Sequence, residues 1–280
     1  LIGRMKGLGF DLRNEAVLTT LTDDVIKSSE IEGEDLDKTQ VRSSIARRLG
    51  MDISGLVPAD RNVEGVVEMM LDATQRYEQP LTESRLFDWH ASLFPTGRSG
   101  MQRITVGAWR REEGGPMQVV SGPIGRETVH FEAPDFSKLP EEMSQFLAWF
   151  EQPDATDPVI RAALAHLWFV TIHPFDDGNG RIGRAIADMA LARSEGSAQR
   201  FYSMSAAIRQ RRKYYYDALE KTQKNGLDIT DWLLWFLDCL DGAITRSESI
   251  LDGIFVKARF WDAHRDAPLN GRQRLMIGKL

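Results

Sequence analysis

His173-Pro-Phe-Asp-Asp-Gly-Asn-Gly-Arg-Ile-Gly-Arg184 decides how the rest of this 280-residue chain is read. The segment packs a base, a metal-ligand candidate, an anion cradle and two cations into one turn that runs into a helix. A histidine titrates near pH ~6.5, so at neutral pH His173 is in large part a free base able to take a proton from an attacking hydroxyl. Asp176 and Asp177 follow. Hard oxygen ligands of this kind suit Mg2+, which keeps several of its waters and takes further ligands from substrate phosphates. Gly178 and Gly180 flank Asn179, and glycines let the backbone turn and approach a ligand without a Cβ in the way. The pattern predicts a helix from Arg181 to Arg193, whose unpaired first N–H groups and positive dipole end meet the Gly-Asn-Gly turn. Arg181 and Arg184 are three residues apart, so both project from one helical face and can clamp phosphate oxygens. The chemistry implied is transfer of a phosphorus-centred group from a nucleotide to a hydroxyl.

Taken singly, each piece has an ordinary explanation: a histidine at a helix end, a good turn sequence, arginines on a solvated face. A plain turn has no use for the histidine or for arginines at that phase, and the joint order is what carries the reading. The segment resembles the signature of the Fic family, His-x-Phe-x-Asp/Glu-Gly-Asn-Gly-Arg-x-x-Arg, and matches it at every defined position. The resemblance implies an all-α fold, a Fic-like helical bundle with a small β-hairpin flap. It also implies a protein adenylyltransferase that uses ATP and Mg2+ to place AMP on a Tyr, Thr or Ser hydroxyl of a target protein, releasing pyrophosphate and also modifying itself. Under that resemblance His173 is the general base and Asp177 the Mg2+ ligand. Gly178, Asn179 and Gly180 form the anion hole around the α- and β-phosphates, Arg181 holds phosphate and Arg184 the γ-phosphate. Phe175 is a core anchor for the loop, and Asp176 falls at a variable position.

Far upstream, Ser28-Ser-Glu-Ile-Glu32-Gly33 is similar to the Ser/Thr-x-x-x-Glu-Gly/Asn inhibitory motif of many Fic proteins, in which a helix sets its glutamate against the second arginine of the signature. Ser28 and Glu32 share a helical face, and Gly33 also suits an ordinary helix end. A carboxylate in a last turn is disfavoured by the helix dipole, so a cationic partner such as Arg184 would account for it. The motif precedes the signature, which favours inhibition within one chain over inhibition by a neighbouring subunit.

Working outward, most of the chain has helical periodicity. Helices are predicted from Asn14 to Glu32, Leu36 to Leu49, Asp60 to Tyr77 and Thr82 to Phe94, with Asp35, Asp60 and Thr82 as capping residues. Leu139 to Phe150 and Pro158 to Ile172 follow, the second apolar nearly all round and leading straight into His173. His166 on it reads as a core histidine with a hydrogen-bond partner. Between Met101 and Pro134 glycines break the period, and Met117 to Val120 and Thr128 to Phe131 read as a β-hairpin. In the family this is the flap, residues 116–134, on which a target protein with an exposed hydroxyl docks by strand pairing. Ser203 to Thr222 reads as one helix bearing Tyr214, Tyr215 and Tyr216, similar to the wall of the adenosine pocket; Tyr215 is the tyrosine assigned to the base. Asp231 to Leu251 is an amphipathic helix, either core or a homodimer surface. The stretch from Leu269 to Leu280 resembles the opening of a winged-helix module that stops before it is complete, and only a complete one would bring nucleic acid into play. These elements divide the chain into a helical region over 1–95, a catalytic core over 96–225 and C-terminal helices over 226–280.

Composition agrees with a soluble, cytoplasmic protein. The hydrophobic fraction is 42%, the charged fraction 27%, and the net charge of -6 argues against a general affinity for nucleic acid or anionic membrane. The single cysteine, Cys239, follows an apolar run and reads as a buried small hydrophobe. No segment is long and apolar enough to span a bilayer, and the chain opens at Leu1 without a signal-like pattern, as if trimmed. Two other readings stand beside the enzyme: a non-enzymatic nucleotide-sensing scaffold, and a relative that uses another nucleotide donor or removes AMP. The first has no need of His173. A metal phosphohydrolase of the all-α kind would want a His-Asp dipeptide, and none occurs.

Overall fold

The computed structural model describes residues 10–111, 115–122, 126, 128–224, 226–264, 267, 270, 272 and 273. Its centre is a pair of antiparallel helices, α6 (Pro158–Ile172) and α7 (Asn179–Glu195), joined by the signature loop. Asp157 caps α6 by accepting from Val159 N at 2.9 Å and Ile160 N at 3.3 Å, with Pro158 at the first helical position where its missing N–H costs nothing. Ala162, Ala163 and Ala165 keep α6 slim. A Cβ on Gly183 of α7 would come within 2.8 Å of Val170 Cγ1, so the two helices meet at a separation that only glycine permits. Nearly every residue of α7 from Asn179 to Ala192 is buried, which makes it the middle of the fold rather than a surface helix.

Around this pair stand α1 (Phe10–Ile31), α2 (Lys38–Arg48), α3 (Arg61–Gln75), α4 (Glu83–Leu93), α5 (Leu139–Glu151), α8 (Met204–Gln210), α9 (Arg212–Lys224) and α10 (Thr230–Ala263). Helices α1, α3 and α4 pack on α7, α5 and α10 on α6, and α1 also lies along α8. Trp232 of α10 is fully buried and donates from Nε1 to Ala163 O at 2.8 Å, fixing α10 to the central pair. Cys239 is buried beside it in the core, as expected, and burial pushes its thiol up to about 12. The buried apolar side chains form one cluster from Ala16 to Ala243, so the three sequence regions share a core. No helix among the described residues is long and apolar enough to cross a membrane.

The strands are short. β3 (Gln118–Ser121) and β4 (Thr128–Glu132) pair antiparallel, with Val119 opposite Phe131 and Val120 opposite Val129. His130 is the extra residue of the resulting bulge, which turns its ring toward α9, where Nδ1 lies 2.6 Å from Glu220 Oε2. A second ladder of two residues each, β1 (Arg98–Ser99) with β2 (Gln102–Arg103), has no counterpart in the sequence reading.

Several boundaries differ from the sequence expectations. The cap of α2 is Asp37, which accepts from Gln40 N, and not Asp35. The helix expected from Ser203 to Thr222 is broken at Arg211 into α8 and α9; no glycine or proline marks the break, and the half-exposed Arg211 side chain pairs with Asp238 of α10. α10 runs on to Ala263, well past Leu251. The Ser121 to Gly125 turn and the winged-helix resemblance near the C-terminus fall mostly outside the described residues.

Candidate functional site

The signature loop begins where α6 ends. His173 closes α6 in the left-handed conformation, φ 52° and ψ 57°, with its N–H on Phe169 O at 3.0 Å. Its Nδ1 lies 3.2 Å from Val170 O. A carbonyl only accepts, so Nδ1 carries the proton and Nε2 keeps its lone pair. Burial lowers the pKa of His173, more than the Val170 hydrogen bond raises it, and the ring is a neutral base at pH 7.

Phe175 is fully buried and anchors the loop as expected, stacked on His90 at 4.1 Å and touching Trp109 and Phe169. Asn179 closes the loop upon itself: its Oδ1 accepts from Phe175 N at 3.0 Å and its Nδ2 donates to Phe175 O at 2.8 Å. That spends the Asn179 side chain on structure and leaves only backbone amides at this turn to meet an anion. The helix also starts earlier than expected, at Asn179 and not Arg181, with Gly178 as its N-cap at φ 81°. Gly178 brings no side chain to cap the first turn, so the N–H groups of Asn179, Gly180 and Arg181 have no intrahelical partner and point outward together. Gly180 itself is helical; its use is space, because a Cβ there would lie 2.2 Å from Glu32 Oε1.

Both signature arginines are 2% exposed. Arg184 donates from Nε to Ser28 Oγ at 2.9 Å and from Nη2 to Ser28 O at 2.9 Å and to Glu32 Oε1 at 2.7 Å. The structure thus joins Ser28, Glu32 and Arg184 as the motif suggested, and places the Glu32 carboxylate over the first turn of α7. The local cause is the way α1 ends. Gly33, at φ 85°, donates to Glu30 O and Glu34 N donates to Ser29 O, the reversal that a left-handed glycine makes after a helix. From α9, Arg212 Nε holds Ile31 O at 2.7 Å.

The same reversal delivers a second carboxylate that the sequence reading missed. Glu34 Oε2 accepts from Arg181 Nη1 at 2.6 Å, while the Arg181 guanidinium lies 5.0 Å from the Phe94 ring. Burial raises the Glu34 pKa against the pull of Arg181, with Asp177 and Glu32 adding repulsion. Nothing in the spacing of Glu34 marks it out; its partner is known only once α1 is laid against α7. Arg184 Nη1 and Arg181 Nε are buried with no hydrogen-bond partner, an unsatisfied state that is uncommon for buried donors.

The two aspartates separate cleanly. Asp176 Oδ2 accepts from Thr105 N at 2.7 Å and ties the loop to the strand-like segment after β2. Asp177 accepts from Gly178 N at 2.6 Å through Oδ1 and from Ser99 through Oδ2, and its own carbonyl meets His90 Nε2 at 3.1 Å. No group of three or more His, Cys, Asp or Glu side chains gathers among the described residues. A metal at Asp177 would therefore have at most two protein ligands of these types and draw the rest from water and phosphate, a donor set that fits Mg2+.

Tyr215 does not line a cleft. It is 2% exposed, its hydroxyl is 2.9 Å from His166 Nε2, and its ring lies among Tyr216, Trp232 and Trp235. The Tyr215 ring, expected to face a nucleotide base, is packed in the core here with its hydroxyl beside His166. His166 is the core histidine expected, with Tyr215 as its partner.

The comparisons bear on the family and the fold. Residues 80–191 match the Fic/DOC family model, and residues 1–51 match a domain of unknown function, DUF4172. The protein adenylyltransferase fic-1 of Caenorhabditis briggsae is 29% identical over 167 residues, covering 59% of this chain and 30% of its own length. The protein adenylyltransferase Fic of Culex quinquefasciatus is 26% identical over 220 residues, 78% of this chain and 39% of its own length. The chain thus spans about a third of the length of these curated relatives. Among solved structures, a Fic family protein from Desulfovibrio desulfuricans G20 superposes with a TM-score of 0.63 at 24% identity, over 89% of this chain and 71% of its own. A Fic domain containing signaling protein from Bacteroides thetaiotaomicron VPI-5482 gives 0.63 at 22% identity, over 88% and 90%.

Proposed function

We propose that this chain, which belongs to the Fic/DOC family, is a protein adenylyltransferase that moves AMP from ATP to a hydroxyl side chain of a target protein and is braked by the end of its own first helix. The observation that carries the reading is the Glu32 carboxylate, 2.7 Å from Arg184 and directly over the unpaired amides of the first turn of α7. A carboxylate there occupies the place of a phosphate.

With the phosphates seated on the amides of Asn179, Gly180 and Arg181, the target hydroxyl oxygen attacks the α-phosphorus while His173 Nε2 takes its proton. The bond from the α-phosphorus to the bridging oxygen breaks and pyrophosphate leaves, its charge held by Arg181 and Arg184. Asp177 would hold Mg2+, which when bound neutralises phosphate charge. The target segment lies along the flap by strand addition, which reads extended backbone more than side chains. Glu32 neutralises a phosphate-binding cation and repels the γ-phosphate, so ATP seats out of line for attack.

The test is incubation of the purified chain and of Glu32→Gly with labelled ATP and Mg2+, followed by intact-mass analysis. The reading expects added AMP, most of it on the variant; ATP bound by both chains with no AMP on either would favour a nucleotide sensor instead.

A further inference from the structure

Arg110 does work that the mechanism above leaves out. It is 6% exposed, and a buried guanidinium is costly unless its N–H groups find acceptors. It finds backbone carbonyls. Nε donates to His173 O at 2.9 Å and Nη2 donates to Pro134 O, two residues past the end of β4, while the Arg110 main-chain N–H donates to Pro174 O at 2.9 Å. The neighbouring Trp109 ring packs on Phe175 at 5.1 Å, so the whole segment is moulded to the signature loop.

What it holds is unusual. His173 is the only non-glycine residue with positive φ among the described residues, a conformation that a Cβ makes unfavourable. From the α6 side the residue is held by Phe169 O and Val170 O. Its carbonyl, the far end of the strained unit, is held by Arg110. A plain helix-end cation would need one contact with α6 and none with the flap. Arg110 spans both, and its planar fork can reach two carbonyls in a way that a lysine ammonium on a single stem cannot copy.

We propose that Arg110 is a positioning residue: it fixes the left-handed turn that presents the His173 imidazole and ties that turn to the end of the flap, so that base and docked target keep one geometry. The proposal rests on the reading of His173 as the base. Its consequence is selective, since the phosphate site is built from α7 and does not include Arg110.

The experiment has two readouts on the whole chain. The first is the His173 ring 13C–1H signal, assigned by its loss in His173→Ala, with the His166 signal as internal reference. Arg110→Met is expected to shift or broaden the His173 signal and leave that of His166 in place. The second is made in Glu32→Gly chains, where Arg110→Met is expected to lower kcat for AMP transfer about 100-fold, the scale of a small misplacement at a reacting centre. Affinity for a fluorescent ATP analogue should be unchanged, and Arg110→Lys should recover part of kcat. An unmoved His173 signal, or parallel losses of ATP affinity and transfer, would overturn the proposal. If Arg110→Met does not fold, Arg110→Lys carries the test, with a smaller shift of the His173 signal and a smaller loss of kcat expected at unchanged ATP affinity. If Glu32→Gly with Arg110 intact transfers no AMP, the reading of His173 as the base fails, and the NMR signal still decides whether Arg110 positions that residue.

Discussion

Arg184 and Arg181 stand one turn apart on the same buried helix, and each meets a carboxylate from the reversal that ends α1, yet the two pairs are built differently. Arg184 holds Glu32, whose side chain is 29% exposed, and is also gripped twice by Ser28. Arg181 holds Glu34, 44% exposed, and otherwise rests on the Phe94 face. An ion pair open to solvent is screened and contributes about 1 kcal/mol or less, whereas a buried one with further hydrogen bonds is costly to break from one side. The difference teaches that one loop can carry a firm ion pair and a soft one, with the surrounding burial and hydrogen bonds setting which is which.

Glu32→Gly should break the firm pair with the largest effect, raising AMP transfer about 100-fold, since small misplacements at a reacting centre cost that much in rate. Self-modification at saturating ATP is the measurement, and His173→Ala in the same chain should cancel the gain. Unchanged transfer by folded Glu32→Gly would reduce Ser28 to Gly33 to a helix end.

Next comes the carboxylate on the far side of the soft pair. Asp177 adds repulsion at Glu34, so it belongs to the same electrostatic neighbourhood. Asp177→Ala should weaken Mg2+-dependent ATP binding about tenfold or more, the scale of damage at a metal site. Asp176→Ala should leave that binding alone and cost about 1 kcal/mol of stability, the hydrogen bond from Thr105 N. Equal losses of ATP binding at both positions would undo the assignment.

Glu34→Gln should sharpen the contrast. Removing a half-exposed charge worth about 1 kcal/mol or less predicts at most a fivefold gain in ATP affinity. Titration with a fluorescent ATP analogue decides it; a gain well beyond fivefold would make the Glu34 pair as firm as that of Glu32.

A separate effect, on stability and not on ATP binding or AMP transfer, concerns two histidines of the core. Burial, helped by the Arg184 charge, lowers His166 to about 3, and burial lowers His90 to about 4. Both are neutral when folded and take a proton near pH ~6.5 when unfolded. Their contribution is therefore full above that pH and is lost as pH falls from ~6.5 toward about 4 for His90 and about 3 for His166. Urea unfolding between pH 7.5 and 5 should show stability falling by no more than about 1.4 kcal/mol per pH unit per histidine. His166→Gln should flatten the slope, and an equally steep slope in that variant would remove His166 from the account.

Much of this was legible in the chain. Ser28 and Glu32 are four apart, so any helix through them puts both on one face, and Gly33 supplies the reversal beyond. His173, Asp177, Gly178 and the arginines at 181 and 184 sit in one run whose chemistry can be read without a fold, because each acts through groups fixed by local backbone. The placement of Tyr215 was not legible for the opposite reason: three consecutive tyrosines point in three directions, and which one enters the core is decided by the packing of α9 on Trp232 and Trp235 of α10.

The sequence by itself determined most of the helical elements, the glycine-flanked turn and the shared face of Ser28 and Glu32, since these follow from periodicity, caps and residue chemistry over a dozen positions or fewer, while the resemblance of the motif supplied Arg184 as the partner. Only the tertiary structure decided that Glu34 meets Arg181 across 147 positions, that Asn179 spends its amide on Phe175, and that Arg110 grips the His173 carbonyl from 63 positions away. Such contacts join residues with no common period, and their partners are set by how α1, the signature loop and the flap segment come to lie around α7.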